Sequence, residues 1–474
     1  MADHGEVTGP GGAPPGGPAP GTLGPGGPRP GSPAPGSPAP GSPGPGGPGP
    51  GSPSPGTPGS GTPGSGTPGP GGPGPRSPGP GGPGPGLGFD LAALGGPGLE
   101  PDDPERDCPD DLRQPARPGP YSVSIDPLSA VRRPGDPFVD VFCAGTVFFD
   151  IVFTGLQSFP RTGTEVWAPG MGSSPGGIAN IAVAMRRLGV RTWLAAAFGA
   201  DVYGEYCWDT LSEQEGVDLT ASRRFDGWHS PVTVSLAISE DRTMVTHGHR
   251  APICLDDMIG SPPASRACFA HLDTEEQAWV RHSHDAGSLV FADVGWEESE
   301  THAATMLSRL GYCHAFLPNA DEAMLLTGTR TPERALSTLA RHVPVVAITC
   351  GPHGVLAADQ ITGERARVPA LPVPAIDPTG AGDVFGAGFV VGTLAGWALE
   401  HRLRFATLCA ALSVQHFGGS LSSPGWGEIV AWWQEQRTRG SDLVAAYGFL
   451  DDLLPGAALS PVRRAAATVG HRSA

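Results

Sequence analysis

A pentapeptide register near the N-terminus sets the first limit on what this chain can fold into. From Gly31 the sequence runs GSPAP, GSPAP, GSPGP, GGPGP, GSPSP and onward for eleven units to Pro85, with proline at the third place of each unit from Pro33 to Pro83. Proline offers no backbone N–H and glycine loses the most conformational freedom on ordering, so the repeat suits neither helix nor sheet. Collagen is excluded as well, because its axis requires glycine at every third residue and a period of five does not supply it. The register reads as an arm leaning to polyproline II, either a solvating extension or a docking segment for a partner that recognises proline-rich chains.

Averaged over the chain, the same bias would suggest disorder throughout. The 474 residues include 73 Gly and 56 Pro, but 36 of the Gly and 29 of the Pro fall within residues 1–100. Residues 1–136 therefore read as arm and linker, 137–440 as a folded domain large enough for a sizeable core, and 441–474 as a C-terminal extension without an assigned role.

Composition removes several function classes. All 30 basic residues are Arg and there is no Lys, which excludes a Walker A lysine, a protein-kinase ATP lysine and Schiff-base chemistry. The formal charge is −17 and the arginines are scattered, so no nucleic-acid partner is expected. The eight cysteines are never closer than 14 positions apart, so no C-x-x-C pattern exists. Acidic and Gly residues at Met1–Pro10 and the lack of any run of 18 apolar residues lead to the expectation of a soluble, cytoplasmic chain with no membrane contact.

Regular patterning begins at Phe138. An apolar strand-like run, Val139 to Phe148, ends at Asp150, and strand and helix patterns then alternate to about Arg437, the signature of an α/β fold with a mostly parallel sheet flanked by helices. Ile178, Ile181, Met185 and Leu188 recur at spacings of three and four, with Arg186 and Arg187 near the end and Gly189 after it, predicting a helix over 177–188. Further strands are expected at 193–198, 231–238, 288–293, 314–317 and 345–349, and helices at 301–310, 332–341 and 401–416. The stretches around Glu165 and Val234 suggest a smaller, separate sheet.

The segment Asp377-Pro378-Thr379-Gly380-Ala381-Gly382-Asp383 carries the most chemistry. After a strand-like lead at 373–376, Gly380 and Gly382 allow successive amides to point together at the start of a small-residue apolar helix, where the dipole is positive and an anion is welcome. Asp383 falls in the first turn beside that anion site, where a carboxylate is useful if it takes a proton from an attacking hydroxyl or holds a metal; a bland alternative is an acid complementing the helix dipole. Asn319 and Glu322 lie three apart on a predicted helix, one face able to organise water-bound Mg²⁺; read alone, the pair also fits a capped surface helix. Asp150, likewise, read alone fits a turn or cap residue.

The Gly380 segment resembles, residue by residue, the second signature of the ribokinase-like (PfkB) family of sugar and nucleoside kinases. The family's first signature is recognisable in Gly176-Gly177-Ile178-Ala179-Asn180-Ile181-Ala182, departing at Ile178, where a small residue is usual. Gly145, Asp150, Pro160, Gly163, Glu165, Asp201 and Gly204 precede or follow in family order, as do Pro318 to Glu322, Thr349, Gly351 and Gly354, so the resemblance spans about residues 137–437. It implies a ribokinase-like α/β fold with a small β-sheet lid built from about 155–171 and 224–249. It implies Asp383 as catalytic base and the amides of Gly380, Ala381 and Gly382 as the anion hole. Asp150, Gly176, Gly177 and Asn180 resemble substrate contacts. Asn319 and Glu322 resemble the residues that organise Mg²⁺ and phosphates, Glu322 through water, and Thr349, Gly351 and Gly354 resemble the nucleotide-contacting turn, with the helix at 408–416 near the adenine.

The activity so implied is ATP-dependent, Mg²⁺-assisted phosphorylation of a hydroxymethyl group on a sugar or related polyol. Alternatives are a nucleoside kinase, or a catalytically weak small-ligand-binding regulator that uses the N-terminal arm for partners. Use of a monovalent cation, and a homodimer paired through the lid, are left open. After the strand at 288–292 many family members continue Asp-Pro-Asn with a nearby Arg, whereas this chain reads Asp293-Val294-Gly295-Trp296, a departure that bears on the acceptor. Gly172-Ser173-Ser174-Pro175-Gly176 also satisfies G-x-S-x-G, but Pro169-Gly170 before it and Pro175 within it suit a hydrolase nucleophile elbow poorly.

Overall fold

Short apolar runs punctuated by Gly, Pro and Asp alternate with helices here as the sequence suggests. The computed structural model describes residues 121–238, 241–273, 275–294, 303–454, 460–465 and 468–469. The pentapeptide arm and the Gly295-Trp296 departure lie outside the described residues.

Strand β1 (Tyr121–Ser124) precedes β2 (Val139–Ala144) and β3 (Val147–Leu156), and β4 (Gly170–Gly177) leads directly into α1 (Ile178–Arg187). After β5 (Thr192–Ala195) and β6 (Ala197–Gly199) come α2 (Val202–Asp209), β7 (Arg223–Phe225) and the hairpin of β8 (Val232–Ile238) and β9 (Asp241–His247). The middle of the chain holds α3 (Leu255–Ile259), β10 (Ser265–Leu272), α4 (Ala278–Asp285), β11 (Leu289–Val294), α5 (Ala303–Arg309), β12 (Ala315–Phe316) and α6 (Ala320–Thr327). Then follow α7 (Pro332–Leu339), β13 (Val345–Thr349), β14 (Val355–Asp359), β15 (Glu364–Val368), α8 (Ala381–Leu394) and α9 (Leu399–Ser413). The last elements are α10 (Trp426–Arg439), α11 (Leu443–Tyr447), α12 (Leu450–Leu453), β16 (Ser460–Arg463) and β17 (Thr468–Val469).

The large sheet has the order β15-β14-β13-β12-β11-β10-β2-β5. It is parallel from β5 to β13 and antiparallel only at β14 and β15. Successive side chains on β10 feed opposite layers. Ala267 and Phe269 pack with α1, α8 and α9, while Cys268 and Ala270 pack with Trp279 of α4 and Leu336 of α7. Burial on both faces explains why β2 is buried at all six positions and apolar at all but Asp140, whose buried carboxylate pairs with Arg132 and Arg191. Helix α8 is buried on almost every side, and Gly388 lets α9 approach, since a Cβ there would lie 2.9 Å from the Ala406 Cα. Mostly parallel sheet, flanking helices and a smaller second sheet bear out the expected ribokinase-like class.

That second sheet has the order β17-β4-β3-β8-β9. The run 139–148, read as one strand, is two: the chain leaves the large sheet after β2 and enters the small one as β3. Gly145 allows the change of direction, since a Cβ there would crowd Ile178 at 3.1 Å. The lid strands therefore begin earlier than expected, and the stretch around Glu165 joins β3 to β4 and forms no strand. The lead at 373–376 is also not a strand; the amides of Ile376 and Asp377 both donate to the carbonyl of Val414.

Both flanks of the domain carry ordered structure. Strand β1 pairs antiparallel with β16, and β17 pairs with β4, so segments on either side of the expected 137–440 limits build onto it. Arg187, at the end of α1, forms an ion pair with Glu215 in which both side chains are almost wholly buried, and its guanidinium also reaches the carbonyls of Leu421, Ser423 and Ala465. Among the described residues no helix is long and apolar enough to cross a membrane.

Candidate active site

The carboxyl ends of the parallel strands share one edge of the large sheet, where ligands of open α/β sheets bind. Gly145 follows β2, His271 lies near the end of β10, Asp293 near the end of β11, Asn319 just after β12 and Thr349 at the end of β13. His271 and Asp293 are register partners, and Asn319 and Thr349 form a parallel bridge. Pairing thus brings together side chains far apart in sequence.

The glycine-rich turn is pinned by Asp377, which is buried. One of its carboxylate oxygens accepts the Thr379 amide at 2.9 Å and the other the Gly418 amide at 3.2 Å. Gly380 caps α8 in the left-handed region at φ +76°, where a side chain would be strained and would crowd the Asn180 amide group. The Ala381 amide donates to the Pro378 carbonyl at 3.2 Å, and the first-turn amides of Gly382 and Asp383 precede the first intrahelical bond, from the Val384 amide to the Gly380 carbonyl. A Cβ at Gly382 would meet nothing within 4 Å, so packing does not demand glycine there and the turn keeps open space in front of it.

Asp383 sits in that first turn with both oxygens addressed. Asn180 Nδ2 donates to Oδ2 at 2.9 Å, and His271 Nε2 stands 3.6 Å from Oδ1. Asn180, expected as a substrate contact, is thus first of all a partner of Asp383. Asp293 and Glu322 complete an acidic group around this point. Burial, with Glu322 and Asp383 close by, pushes the Asp293 carboxyl well above its ordinary range. Burial likewise raises Glu322, opposed by the Asn319 amide that donates to its carboxylate, with Asp383 adding to the rise. Three half-buried carboxylates close together offer the hard oxygen ligands that suit a divalent ion.

Asn319 and Glu322 form a reciprocal capping box at the start of α6, Asn319 Oδ1 accepting the Glu322 amide at 3.0 Å and Glu322 Oε2 accepting the Asn319 amide at 2.8 Å. Both readings of the pair therefore meet in one structure: the cap occupies Oε2 and leaves Oε1 for further contact. At the neighbouring turn, Gly351 has φ +53° with open space around it, while Gly354 is glycine for packing, since a Cβ there would lie 2.1 Å from the Val368 carbonyl oxygen. The Thr349 amide donates to the Pro318 carbonyl. Helix α9 stops at Ser413, short of the expected 416.

On the lid side, Asp150 does not close a strand; it lies buried within β3, beside β4, where its carboxylate occupies the volume a side chain at Gly176 would need. Gly177, at φ +62°, starts α1 where a Cβ would strike the Thr146 carbonyl oxygen. Three polar atoms converge nearby: Asn180 Oδ1, Ser174 Oγ and Thr379 Oγ1 are buried with no hydrogen-bond partner among the described residues. A Cβ on Gly419, at φ +45°, would touch all three side chains. Buried polar atoms are almost always satisfied, so such a trio points to a ligand hydroxyl or water. Ser174 lies inside β4, fully buried, so the G-x-S-x-G match makes no nucleophile elbow.

His271 and Gly419 escaped the sequence reading, and Thr379 was read as part of the glycine-rich segment without a role of its own. A lone histidine in a strand carries no signal, but the Gly418-Gly419 pair shortly after a helix could have been read as a tight approach.

The family model described as pfkB family carbohydrate kinase matches residues 270–426, which include Asp293, Asn319, Glu322, Thr349 and the whole glycine-rich turn. A nucleoside kinase of Methanothermobacter thermautotrophicus is 27% identical over 302 residues, covering 61% of this chain and 94% of that protein. A ribokinase of Bacillus subtilis is 28% identical over 312 residues, covering 60% and 96%. In structure, the chain is similar to Arabidopsis thaliana ribokinase complexed with ribose and ATP, with a TM-score of 0.52 and 22% identity over 62% of this chain and 98% of that one. The second signature thus lies inside the segment that matches the pfkB family carbohydrate kinase model, and the fold around it is ribokinase-like.

Proposed function

We propose that this protein is an ATP-dependent kinase that phosphorylates a hydroxymethyl group on a sugar or related polyol. The observation that carries the reading is Asp383, held by Asn180 and facing His271 in the first turn of α8, whose amides suit an anion. Asp383 takes the acceptor's hydroxyl proton as that oxygen attacks the terminal phosphorus of ATP and ADP departs. The amides of Gly382 and Asp383, with Gly380 shaping the turn, stabilise charge on the transferring group, and Ala381 contributes as far as its bond to Pro378 allows.

Asp150, Gly176, Gly177 and the polar trio of Ser174, Asn180 and Thr379 form the acceptor side, and Thr349 and Gly351 the nucleotide side. Glu322, through water, and Asp293 are the groups that would hold Mg²⁺. The ion, when bound, neutralises phosphate charge that no lysine in this chain can meet. The small sheet closes over the acceptor and excludes water. A nucleoside acceptor is the second reading, favoured by the similarity to the Methanothermobacter nucleoside kinase. Pairing of two chains through the lid, a monovalent cation and a partner for the proline-rich arm are compatible with this reading, and none is needed for the chemistry.

A panel of sugars, polyols and nucleosides with Mg·ATP, read as ADP formation, tests the proposal. Turnover with at least one hydroxymethyl acceptor is expected; ligand-induced stabilisation without any ADP would instead mark a binding protein.

A further inference from the structure

Three histidines gather at one end of the lid hairpin, far along the chain from the signature segments. His229 lies in the loop that enters β8, His247 ends β9, and His249 follows two residues later. One ring nitrogen from each lies within 4.8 Å of the other two. The rings contact pairwise, with centroids 4.9 to 5.2 Å apart. The backbone around them is fixed. Val232 is the register partner of His247, and a Cβ on Gly248 would already be 3.0 Å from Pro231. The Ser230 amide donates to Asp201, the capping residue of α2.

We propose that His229, His247 and His249 form a binding site for a late first-row divalent ion of the Zn²⁺ class. Imidazoles suit Zn²⁺ and its neighbours and not Mg²⁺, so the site is chemically distinct from the carboxylate group beside Asp383. His229 Nδ1 lies 3.1 Å from the Ser230 carbonyl oxygen, and donation there leaves Nε2 with the lone pair a metal needs, the arrangement of a backbone-oriented ligand. Metal–nitrogen bonds of about 2.0–2.1 Å require tetrahedral ligand atoms about 3.4 Å apart. From separations of up to 4.8 Å the three nitrogens thus need to close by up to about 1.4 Å, within reach of side-chain rotation because His247 and His249 are exposed. The nearby Arg250 guanidinium faces Glu275 at 3.5 Å.

The site lies across the lid from the acceptor. Asp150 is the register partner of Thr233, and Thr233 hydrogen-bonds Thr246 across the hairpin, so these three share a face. His247, one residue on, projects from the other face. The ion is therefore structural: it ties the loop entering β8 to the chain leaving β9.

The test is titration of the full chain with Zn²⁺ by calorimetry, beside the variants His247→Ala/His249→Ala and His229→Gln, with Co²⁺ absorption as a second readout. Exposed thiols and other histidines bind equally in all three proteins, so the difference isolates this site. Expected are one more site per chain in the wild type, weakening by about 100-fold or more in each variant, a tetrahedral Co²⁺ spectrum lost on substitution, and a metal-dependent rise in Tm confined to the wild type. Equal stoichiometry and affinity in wild type and variants, with the variants natively folded by circular dichroism, would overturn the proposal.

Discussion

Replacing Gly176 by Ala tests how the two strands of the lid frame the acceptor side. Gly176 does not have a positive φ, so a methyl group there carries no backbone strain. Its Cβ, however, would lie 1.8 Å from Asp150 Oδ2, 2.3 Å from Cγ and 2.7 Å from Oδ1. Ordinary contacts between non-bonded heavy atoms lie near 3.5 Å, so the overlap is about 1.7 Å. Strands β3 and β4 are paired continuously from Val147 to Thr154 and cannot part by that much without losing ladder bonds. The carboxylate has to rotate out of its buried place instead, at a cost of about 1–3 kcal/mol. With Asp150→Ala already in place, the methyl group has room and most of that cost vanishes. Urea unfolding of the four proteins in the cycle should therefore give a coupling of about 1–3 kcal/mol. In the same set, Gly176→Ala should raise the acceptor KM as strongly as Asp150→Ala. Additivity within about 0.5 kcal/mol would refute the steric linkage.

Other outcomes follow from the same geometry. Arg187→Met leaves the Glu215 charge buried without its partner and should destabilise the fold by about 3–5 kcal/mol, read by urea midpoint and soluble yield. Asp293→Asn should raise Tm at pH 8 while lowering turnover. Its carboxyl is raised in the folded state, so the penalty is absent below the unfolded value of about 3.9 and grows as pH rises through the folded one; wild type and variant should converge below pH 4. Deleting residues 460–474 removes the partners of β1 and β4 and the Ala465 amide that donates to Glu215, and should lower Tm by several degrees.

Much of the fold was legible because local signals and tertiary structure agree. Ile178, Ile181, Met185 and Leu188 marked α1, and the buried run at 345–349, bounded by Pro344 and the Cys350-Gly351 turn, became β13 with those limits. The break at Gly145 was not legible, because nothing in an apolar run tells which of two sheets its halves will join. The pairings of β16 with β1 and β17 with β4 join segments far apart in sequence and carry no local pattern. In the site, the glycine-rich turn announced itself through residue types at fixed spacing. His271 did not, since its meeting with Asp383 depends on β10 and α8 being brought together by the sheet. Asn180 was recognised through its motif, but its bond to Asp383 needed the packing of α1 beside α8.

The central claim is that Asp383 acts as the base for phosphoryl transfer. Asp383→Asn keeps the shape of the side chain and removes its negative charge and its capacity to accept a proton. Measured as kcat for ADP formation with saturating Mg·ATP and the best acceptor, the loss should be about 100-fold or more, with acceptor binding by calorimetry little changed. A loss below about tenfold, roughly 1.4 kcal/mol, in a variant of wild-type Tm would contradict it.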